Sequence, residues 1–308
     1  MNMESVQAQS SLILNMSNFD YITDDVVRKF EFFCQYLRDD DADVDAAAAG
    51  SVAAINDPAS NVLKTHEGGF SGFIWNFWIT VINLAQQIPH DHPYQGKMVR
   101  LLAAIKRLPR PITPEAEQME QLTSKVFWTD LPIFGVQVCE TWSEGPWEKQ
   151  EGHHPSNLGK GPLPSDQWTN LNAFIARIMA SSVNRFDFYP LKVLRHCLEQ
   201  RRKLIDLEAN LPAATMWIIY AGAWIYRSSL LERIDDVTPK YEPGKEYLRK
   251  FATMFSKDRW DFWKERLQSM RHEESLSLMT RHYVEKALER MDQLAACNPA
   301  CVRDEPLA

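Results

Sequence analysis

A stretch of fourteen residues without a charge, residues 213–226, constrains the fold of this chain more than any other feature. Its sequence is AATMWIIYAGAWIY, which would be apolar or aromatic on every side of a helix. Such a helix must be surrounded by other helices, and fourteen residues are too few to cross a bilayer. The segment therefore predicts the central helix of a globular protein.

The rest of the chain also favours helices. Long segments repeat apolar residues with the helical period, and no segment of comparable length alternates apolar and polar residues as a half-buried strand would. We expect an all-α fold, an irregular multi-helix domain around the helix at 213–226. This single domain is expected over residues 23–308, after a loosely ordered arm at 1–22 and with a Gly- and Pro-rich insert at 145–164 that forms a lid or is disordered.

Capping residues and prolines predict where the helices begin. Thr23 precedes a helix that ends near Arg38. The acidic run at 39–45 is either the first turn of a short helix or a solvated linker. Further helices are predicted to start near Pro93, Leu131, Pro190, Pro212 and Pro243.

Charge and cysteine content exclude several classes of partner and location. Asp and Glu outnumber Lys and Arg by 41 to 34, for a formal net charge of −7, whereas a general nucleic-acid binder needs a basic surface. The uncharged run at 70–89 contains polar residues that favour a buried helix, so no membrane partner is expected. Five cysteines without a basic leader favour a cytoplasmic location.

Aromatic residues mark candidate ligand-binding surfaces on two helices. On the central helix, Trp217, Tyr220 and Trp224 share one flank at helical spacing, and Tyr226 follows. The helix at 70–88 carries Trp75 and Trp78 beside a polar seam of Asn76, Thr80 and Asn83. Either these residues only pack in the core, or they line one apolar cavity into which Asn76, Asn172 or Tyr226 reaches.

Three polar residues are candidates for catalysis. Asn172 lies at the edge of the apolar stripe that begins at Trp168, so it either bridges helices in the core or contacts a ligand. Glu140 is the only charged residue between 131 and 143, where desolvation would suit it to general acid catalysis, although it could equally lie on a wet face beside Gln137. Tyr220 completes the set as a phenol within the aromatic flank.

Standard cofactor motifs are missing from the sequence. There is no His-Glu-Xaa-Xaa-His, no double Cys-Xaa-Xaa-Cys, no Gly-Xaa-Gly-Xaa-Xaa-Gly and no Walker-type sequence. We therefore expect neither a metal nor another cofactor. The expected ligands are small apolar or aromatic molecules, and the sequence leaves open whether a homodimer forms.

Five segments carry a resemblance to a known family. They are FIWNFW at 73–78, IPHDHPYQ at 88–95, LPIFG at 131–135, WTNLNAF at 168–174 and AATMWIIYAG at 213–222. In this order they resemble a fungal helical family catalogued as a domain of unknown function, over roughly residues 25–235. The resemblance implies an all-α fold and a fungal origin.

Helical proteins of this general kind resemble enzymes of fungal natural-product pathways that join a tropolone to a humulene-type sesquiterpene. The resemblance implies a cofactor-independent hetero-Diels-Alderase, which dehydrates a hydroxylated tropolone to an ortho-quinone methide and guides its cycloaddition. No residue motif for that activity is carried over. An aromatic core suits a proximity-driven reaction, but a small-molecule carrier or a non-enzymatic interaction protein would also contain one.

Overall fold

The computed structural model describes residues 12–17, 19, 22–56, 68–123, 125–147, 162–231, 242–247 and 254–297. These residues form twelve α-helices and no strand. The all-α prediction is therefore confirmed. The chain divides into two compact units, Met1–Thr141 and Trp142–Ala308, which are described separately.

Unit 1 contains six helices and most of a seventh. They are α1 (Asp24–Arg38), α2 (Val44–Ser51), α3 (Ala53–Asn56), α4 (Gly69–Gln87), α5 (Pro93–Ile105), α6 (Pro114–Thr123) and α7 (Phe134–Ser143), of which α7 crosses the unit boundary. Helix α1 packs against α4, and α2 packs against α5. The apolar face of α4 supplies Phe73, Phe77 and Trp78 to the core.

Side-chain caps fix three of these helix starts. The Thr23 hydroxyl accepts from the backbone N–H of Val26 at 3.3 Å, which confirms the predicted start of α1. His92 caps α5, and the Asp43 carboxylate accepts from Ala46 N at 2.7 Å at the start of α2. Only the end of the acidic run therefore belongs to the helix start: Asp43 caps α2 and Asp45 lies in its first turn. Residues 39–42 form a non-helical connection, in which the three Asp side chains are exposed.

Helix α7 begins at Phe134, three residues after the predicted start. Leu131 and Ile133, on either side of Pro132, have φ angles of 47° and 67°, which non-glycine residues seldom adopt. The carbonyl of Pro132 accepts from Trp78 Nε1 at 2.6 Å. This buried hydrogen bond takes up the carbonyl that a helix starting at Leu131 would have used internally.

The described part of the predicted N-terminal arm lies against unit 1. The backbone N–H of Asn15 donates to Gln87 Oε1, and Gln87 Nε2 donates to the carbonyl of Asn15, both at 2.9 Å. The ring of Phe19 packs edge-on against Phe30 at 5.9 Å. Residues 1–11 lie outside the described part of the chain.

Unit 2 is organised around one long helix. Its helices are α8 (Ser165–Ala180), α9 (Phe188–Leu198), α10 (Leu204–Leu230), α11 (Lys257–Arg271) and α12 (Leu278–Ala296). Helix α10 packs against each of the other four, and every residue from Leu211 to Ile218 is buried. The prediction of a central helix is confirmed within this unit.

The prolines predicted two boundaries in unit 2 that the structure places elsewhere. Pro212 lies inside α10, which starts eight residues earlier at Leu204. A proline inside a helix removes one backbone hydrogen bond and its ring clashes with the carbonyl four residues earlier, and burial on both sides of Pro212 outweighs these costs. Pro190 likewise lies inside α9, which ends at Leu198 instead of near Asp206.

A buried carboxylate explains both the end of α9 and the non-helical fold of residues 243–247, where a helix is predicted to start near Pro243. Glu199, fully buried, follows α9. Its Oε2 accepts from the backbone N–H of Gly244 at 2.9 Å, and its backbone carbonyl accepts from the backbone N–H of Glu246 at 2.9 Å. Residues 242–247 therefore fold as a turn around Glu199, while residues 248–253 of the predicted helix lie outside the described part.

Within the described residues, no helix is both long and apolar enough to span a membrane. Of the predicted insert at 145–164, residues 148–161 lie outside the described part. A hydrogen bond of 2.9 Å from Leu163 N to the carbonyl of Glu144 holds the two flanks of the insert together.

Candidate functional site

Three indole rings in unit 2 form a compact triangle. The ring centres of Trp142, Trp147 and Trp168 lie 5.0 Å, 5.1 Å and 5.1 Å apart, at interplanar angles between 52° and 79°. These tilted and edge-to-face arrangements are the favourable ones for aromatic rings. Trp217 is linked to them through Asn172. We call the side chains of Trp142, Trp147, Trp168 and Trp217 the indole cluster.

Asn172 connects the members of the indole cluster. Its Oδ1 accepts from Trp142 Nε1 at 3.1 Å and from Trp217 Nε1 at 2.8 Å. Its Nδ2 donates to the carbonyl of Trp168 at 2.8 Å. Because both lone pairs of Oδ1 are used and the residue is fully buried, Asn172 positions the indoles and does not present its oxygen to a ligand in this arrangement.

Polar atoms without partners lie in and beside the indole cluster. Within the described residues, Nε1 of Trp147, Nε1 of Trp168 and Oδ1 of Asn210 are buried and have no hydrogen-bond partner. Trp168 and Asn210 are fully buried. Most buried polar groups in proteins are paired, so these two donors and one acceptor could hydrogen-bond a ligand or an ordered water.

A histidine–aspartate pair adjoins the cluster. The imidazole of His196 lies 5.0 Å from the ring of Trp147, and its Nε2 lies 2.8 Å from Oδ2 of Asp206. Asn210 Nδ2 donates to Oδ1 of Asp206 at 3.2 Å and to the carbonyl of Pro146 at 3.0 Å. The carboxylate thus orients the imidazole, which is the arrangement that general acid–base catalysis uses.

The residue next to this pair, Cys197, is not a candidate nucleophile. It is fully buried, and burial raises the pKa of its thiol far above the ordinary value, with the carboxylate of Asp206 acting in the same direction. A thiol without access to its thiolate form is unreactive.

A cation covers one side of the triangle. The ammonium of Lys192 lies 4.8 Å from the ring centre of Trp142 and 5.1 Å from that of Trp147. Tyr189 packs edge-on against Trp142 at 4.6 Å. The site therefore combines aromatic faces, indole donors and positive charge, which suits a flat molecule with oxygen acceptors.

The other predicted residues of α10 contact different neighbours. Tyr220 is half-buried under the guanidinium of Arg177, at 3.7 Å from the ring centre. Trp224, also half-buried, packs edge-on against Phe255 at 5.5 Å, and Tyr226 packs against Trp260 at 5.2 Å. The structure thus brings Trp168, Asn172 and Trp217 together. Tyr220, Trp224 and Tyr226 pack against the other neighbours named above.

The predicted site residues of unit 1 differ widely in exposure. Trp75 is 36% exposed, whereas Trp78 is fully buried and donates to Pro132 as described above. The carbonyl of Asn76 accepts from the Thr80 hydroxyl at 2.7 Å, so part of the polar seam is satisfied within α4. Glu140 is half-buried.

The wet face proposed for Glu140 does not extend to Gln137. Gln137 is only 1% exposed, because it lies one turn from the α7 start, on the side of Phe134 and Val138 that packs into the core.

Sequence reasoning missed Trp142, Trp147, His196 and Asp206. Trp147 lies within the Gly- and Pro-rich segment at 145–164, where no periodicity indicates which side chains face inward, and Trp142 lies at the end of α7 just before it. His196 lies in α9 and Asp206 in α10, and the non-helical residues 199–203 separate the two helices. No helical spacing therefore relates them. The spacing of four between Asp206 and Asn210 within α10 is the one signal that could have indicated a polar contact.

Replacing Gly145 with alanine is expected to distort the triangle and lower the free energy of unfolding by about 1–3 kcal/mol. An added Cβ would lie 2.8 Å from both Trp147 Nε1 and Cη2 of Trp168, and the buried Trp168 ring cannot move aside cheaply. Urea denaturation followed by circular dichroism measures the change. Gly135→Ala, where a Cβ meets nothing within 4 Å, is the matched control; equal stability of the two variants would contradict the packing.

Among the described residues, no group of three or more His, Cys, Asp and Glu side chains is arranged to hold a metal ion. The described groups beside the indole cluster that can act on a ligand include the imidazole of His196, the carboxylate of Asp206 and the ammonium of Lys192.

Comparison with known proteins identifies the family of this chain. No curated protein and no solved structure matches the chain. Residues 78–267 match the sequence model of the family described as "Protein of unknown function (DUF3632)". This match covers more than half of the chain and contains the indole cluster from Trp142 to Trp217, as well as His196 and Asp206. The chain therefore belongs to the DUF3632 family.

Proposed function

We propose that the protein is a cofactor-independent enzyme of fungal secondary metabolism, which dehydrates a hydroxylated tropolone to an ortho-quinone methide and guides its hetero-Diels–Alder addition to a humulene-type sesquiterpene. The resemblance to fungal helical enzymes suggests this reaction. The observation that supports it best is the pair of buried indole N–H groups, on Trp147 and Trp168, that lack an acceptor within the described residues.

The chemistry of a tropolone matches these groups. Its ring is flat and electron-poor, which suits stacking among indoles, and its carbonyl and hydroxyl oxygens can accept from two N–H donors. Lys192, which lies over Trp142 and Trp147, would favour the ring when its hydroxyl is ionised. A saturated hydrocarbon would leave these donors unpaired, so the site would discriminate against it.

Dehydration requires a base and an acid but no oxidant. The neutral Nδ1 of His196 takes the proton of the tropolone hydroxyl, while Nε2 donates to Asp206 and the carboxylate stabilises the imidazolium. A second hydroxyl, on an exocyclic carbon ortho to the ring oxygen, then departs: its C–O bond breaks with the electron pair as the exocyclic C=C bond forms. The imidazolium gives its proton to this departing hydroxyl, so that one water leaves. The product is the quinone methide.

The cycloaddition forms one C–O and one C–C bond between the quinone methide and an alkene, and no proton or electron enters or leaves. The protein contributes proximity and orientation, because apolar walls hold both partners face to face. Asn172 acts as a positioning residue for the indoles. Tyr220 and Glu140 remain predicted catalytic residues. Predicted substrate-binding residues outside the indole cluster remain Trp75, Asn76, Trp78, Trp224 and Tyr226.

The test incubates chelator-treated protein with a hydroxylated tropolone and a humulene-type alkene, and compares the yield and stereochemistry of the adduct with buffer alone. We expect a single stereoisomer, formed about 10²–10⁴-fold more slowly by His196→Asn. His272→Asn, which changes an exposed histidine of the same unit, should match the unaltered protein. Trp168→Phe, which keeps the ring and removes the N–H, should raise KM for the tropolone more than it lowers kcat.

The alternatives predict other results. An adduct with the rate and isomer ratio of the buffer control would contradict the enzyme. If equilibrium dialysis then shows one tropolone bound per chain, and Trp168→Phe weakens it, the protein is a carrier with the same site. If no tropolone binds, a non-enzymatic interaction protein is the better account.

A further inference from the structure

A half-open cavity of about 280 Å³ lies in unit 1. One wall is the side of α1 that carries Asp25, Lys29 and Phe33, and another is Phe73 of α4. The opposite wall consists of the small residues Gly50, Ser51, Ala53 and Ala54 of α2 and α3. Larger side chains there would fill the space, since a Cβ on Gly50 would already lie 3.4 Å from the ring of Phe32.

Lys29 is a buried amine within this cavity. Its side chain is only 7% exposed. It forms an ion pair with Asp25, one turn earlier on α1, and its Nζ lies 3.4 Å from the ring centre of Phe73. The site thus places a primary amine, a carboxylate in contact with it and an aromatic wall in one half-open cavity.

Burial lowers the pKa of Lys29 to about 8, against the opposing effect of the Asp25 carboxylate, and the positive charge of Arg28 acts in the same direction as burial. Asp25, Arg28 and Lys29 are the charged residues among those that line the described cavity. A substantial fraction of Lys29 is therefore a neutral amine near pH 8, where an ordinary lysine is almost entirely protonated.

We propose that Lys29 is a carbonyl-trapping residue, which forms an imine with a small aromatic aldehyde or ketone bound in this cavity. The Nζ lone pair of the neutral amine attacks the carbonyl carbon and forms the C–N bond, while the electron pair of the C=O π bond moves to oxygen. Asp25 carries the two Nζ protons, one after the other, to that oxygen. The C–O bond breaks as the nitrogen lone pair forms the C=N bond, and the oxygen departs as water. No oxidant or reductant is needed for this step.

The cavity walls select the class of carbonyl compound. Phe32, Phe33 and Phe73 provide aromatic surface for a ring, and the volume admits a single ring with a short substituent but no large polycyclic molecule. This activity lies in a different unit from the indole cluster, so its test is independent of the proposed dehydration and cycloaddition.

The experiment incubates the full-length protein with benzaldehyde and sodium cyanoborohydride, and maps the benzylated lysines by peptide mass spectrometry. We expect Lys29 to be modified at least about tenfold faster than Lys125, which is exposed. Cyanoborohydride reduces the protonated imine, whose concentration follows the product of free amine and proton concentrations. The rate at Lys29 should therefore fall above about pH 8, whereas that at Lys125 should stay level to about pH 10. Lys97, buried but bonded to the carbonyls of Leu37 and Asp39, should stay unmodified and is the matched internal control.

Two further measurements keep the proposal testable on folded protein. In urea, the preference for Lys29 over Lys125 should disappear, because it depends on the cavity. Gly50→Leu, which fills the cavity and leaves the amine in place, should slow modification of Lys29 at least about tenfold without changing that of Lys125. Equal rates at Lys29 and Lys125 in the folded protein, or an unchanged rate at Lys29 in Gly50→Leu, would overturn the proposal.

Discussion

Replacing Glu199 with alanine is expected to lower the free energy of unfolding by about 3–5 kcal/mol, the largest effect that we expect from a single substitution. Glu199 and Arg259 are both fully buried. Glu199 Oε1 accepts from Arg259 Nε at 2.6 Å and from Trp263 Nε1 at 2.7 Å, and Oε2 accepts from Arg259 Nη2 at 2.9 Å. The alanine variant leaves the guanidinium buried without its counter-charge and leaves the Trp263 donor unpaired.

A surface ion pair on α11, the helix that contains Arg259, provides the control. Lys257 pairs with Asp261 at 2.6 Å, but both side chains are nearly half exposed, so Lys257→Ala should change the free energy of unfolding by less than about 1 kcal/mol. The quantity is measured by urea denaturation followed by circular dichroism. Replacing Glu199 by leucine and Arg259 by methionine together should destabilise less than either single change, because no charge is left buried alone. A loss for Glu199→Ala no greater than that of Lys257→Ala would contradict this account.

Asn172→Leu is expected to destabilise the protein by about 2–5 kcal/mol, the second largest effect. Leucine has nearly the shape of asparagine, but it leaves the indole N–H groups of Trp142 and Trp217 buried without an acceptor. Each unsatisfied donor costs about 1–3 kcal/mol. The same variant should also lose binding of a tropolone, because the indoles are no longer held in one arrangement.

A double-mutant cycle separates the hydrogen bonds from packing. Trp217→Phe removes one of the two donors and keeps an aromatic ring in place. If Asn172 acts through its bond to Trp217, the double variant Asn172→Leu/Trp217→Phe should be less destabilised than the sum of the single variants by about 1 kcal/mol or more. Strict additivity of the two losses would show that the amide does not act through this indole.

The helical fold could be predicted from the sequence where the determining interactions are local or purely apolar. The cap at Thr23 needs only a hydroxyl three residues before an amide, and the burial of 213–226 follows from its lack of charge. Asn172 was identified as facing inward because the apolar stripe of α8 contains it. These inferences depend on spacing within one helix, which the sequence displays directly.

The features that could not be predicted depend on contacts between distant segments. Glu199 joins the end of α9 to the turn at 242–247 and to Arg259, about sixty residues later, and no periodicity relates these positions. Pro212 suggested a helix boundary because a local penalty is visible in the sequence, whereas the packing that overrides it is not. Lys29 looks like an ordinary surface lysine of an amphipathic helix until α2, α3 and α4 enclose it.

The close approach of three indoles has an optical consequence. Rings about 5 Å apart, as in Trp142, Trp147 and Trp168, exchange excitation energy and quench one another, so these residues should contribute a weak, short-wavelength component to the ultraviolet emission. Trp75, exposed by 36%, should emit at longer wavelength because water relaxes around its excited state. Among the ten tryptophans of the chain, an aromatic molecule that binds at the triangle should therefore change the emission of these three and leave the long-wavelength contribution of Trp75 unaltered.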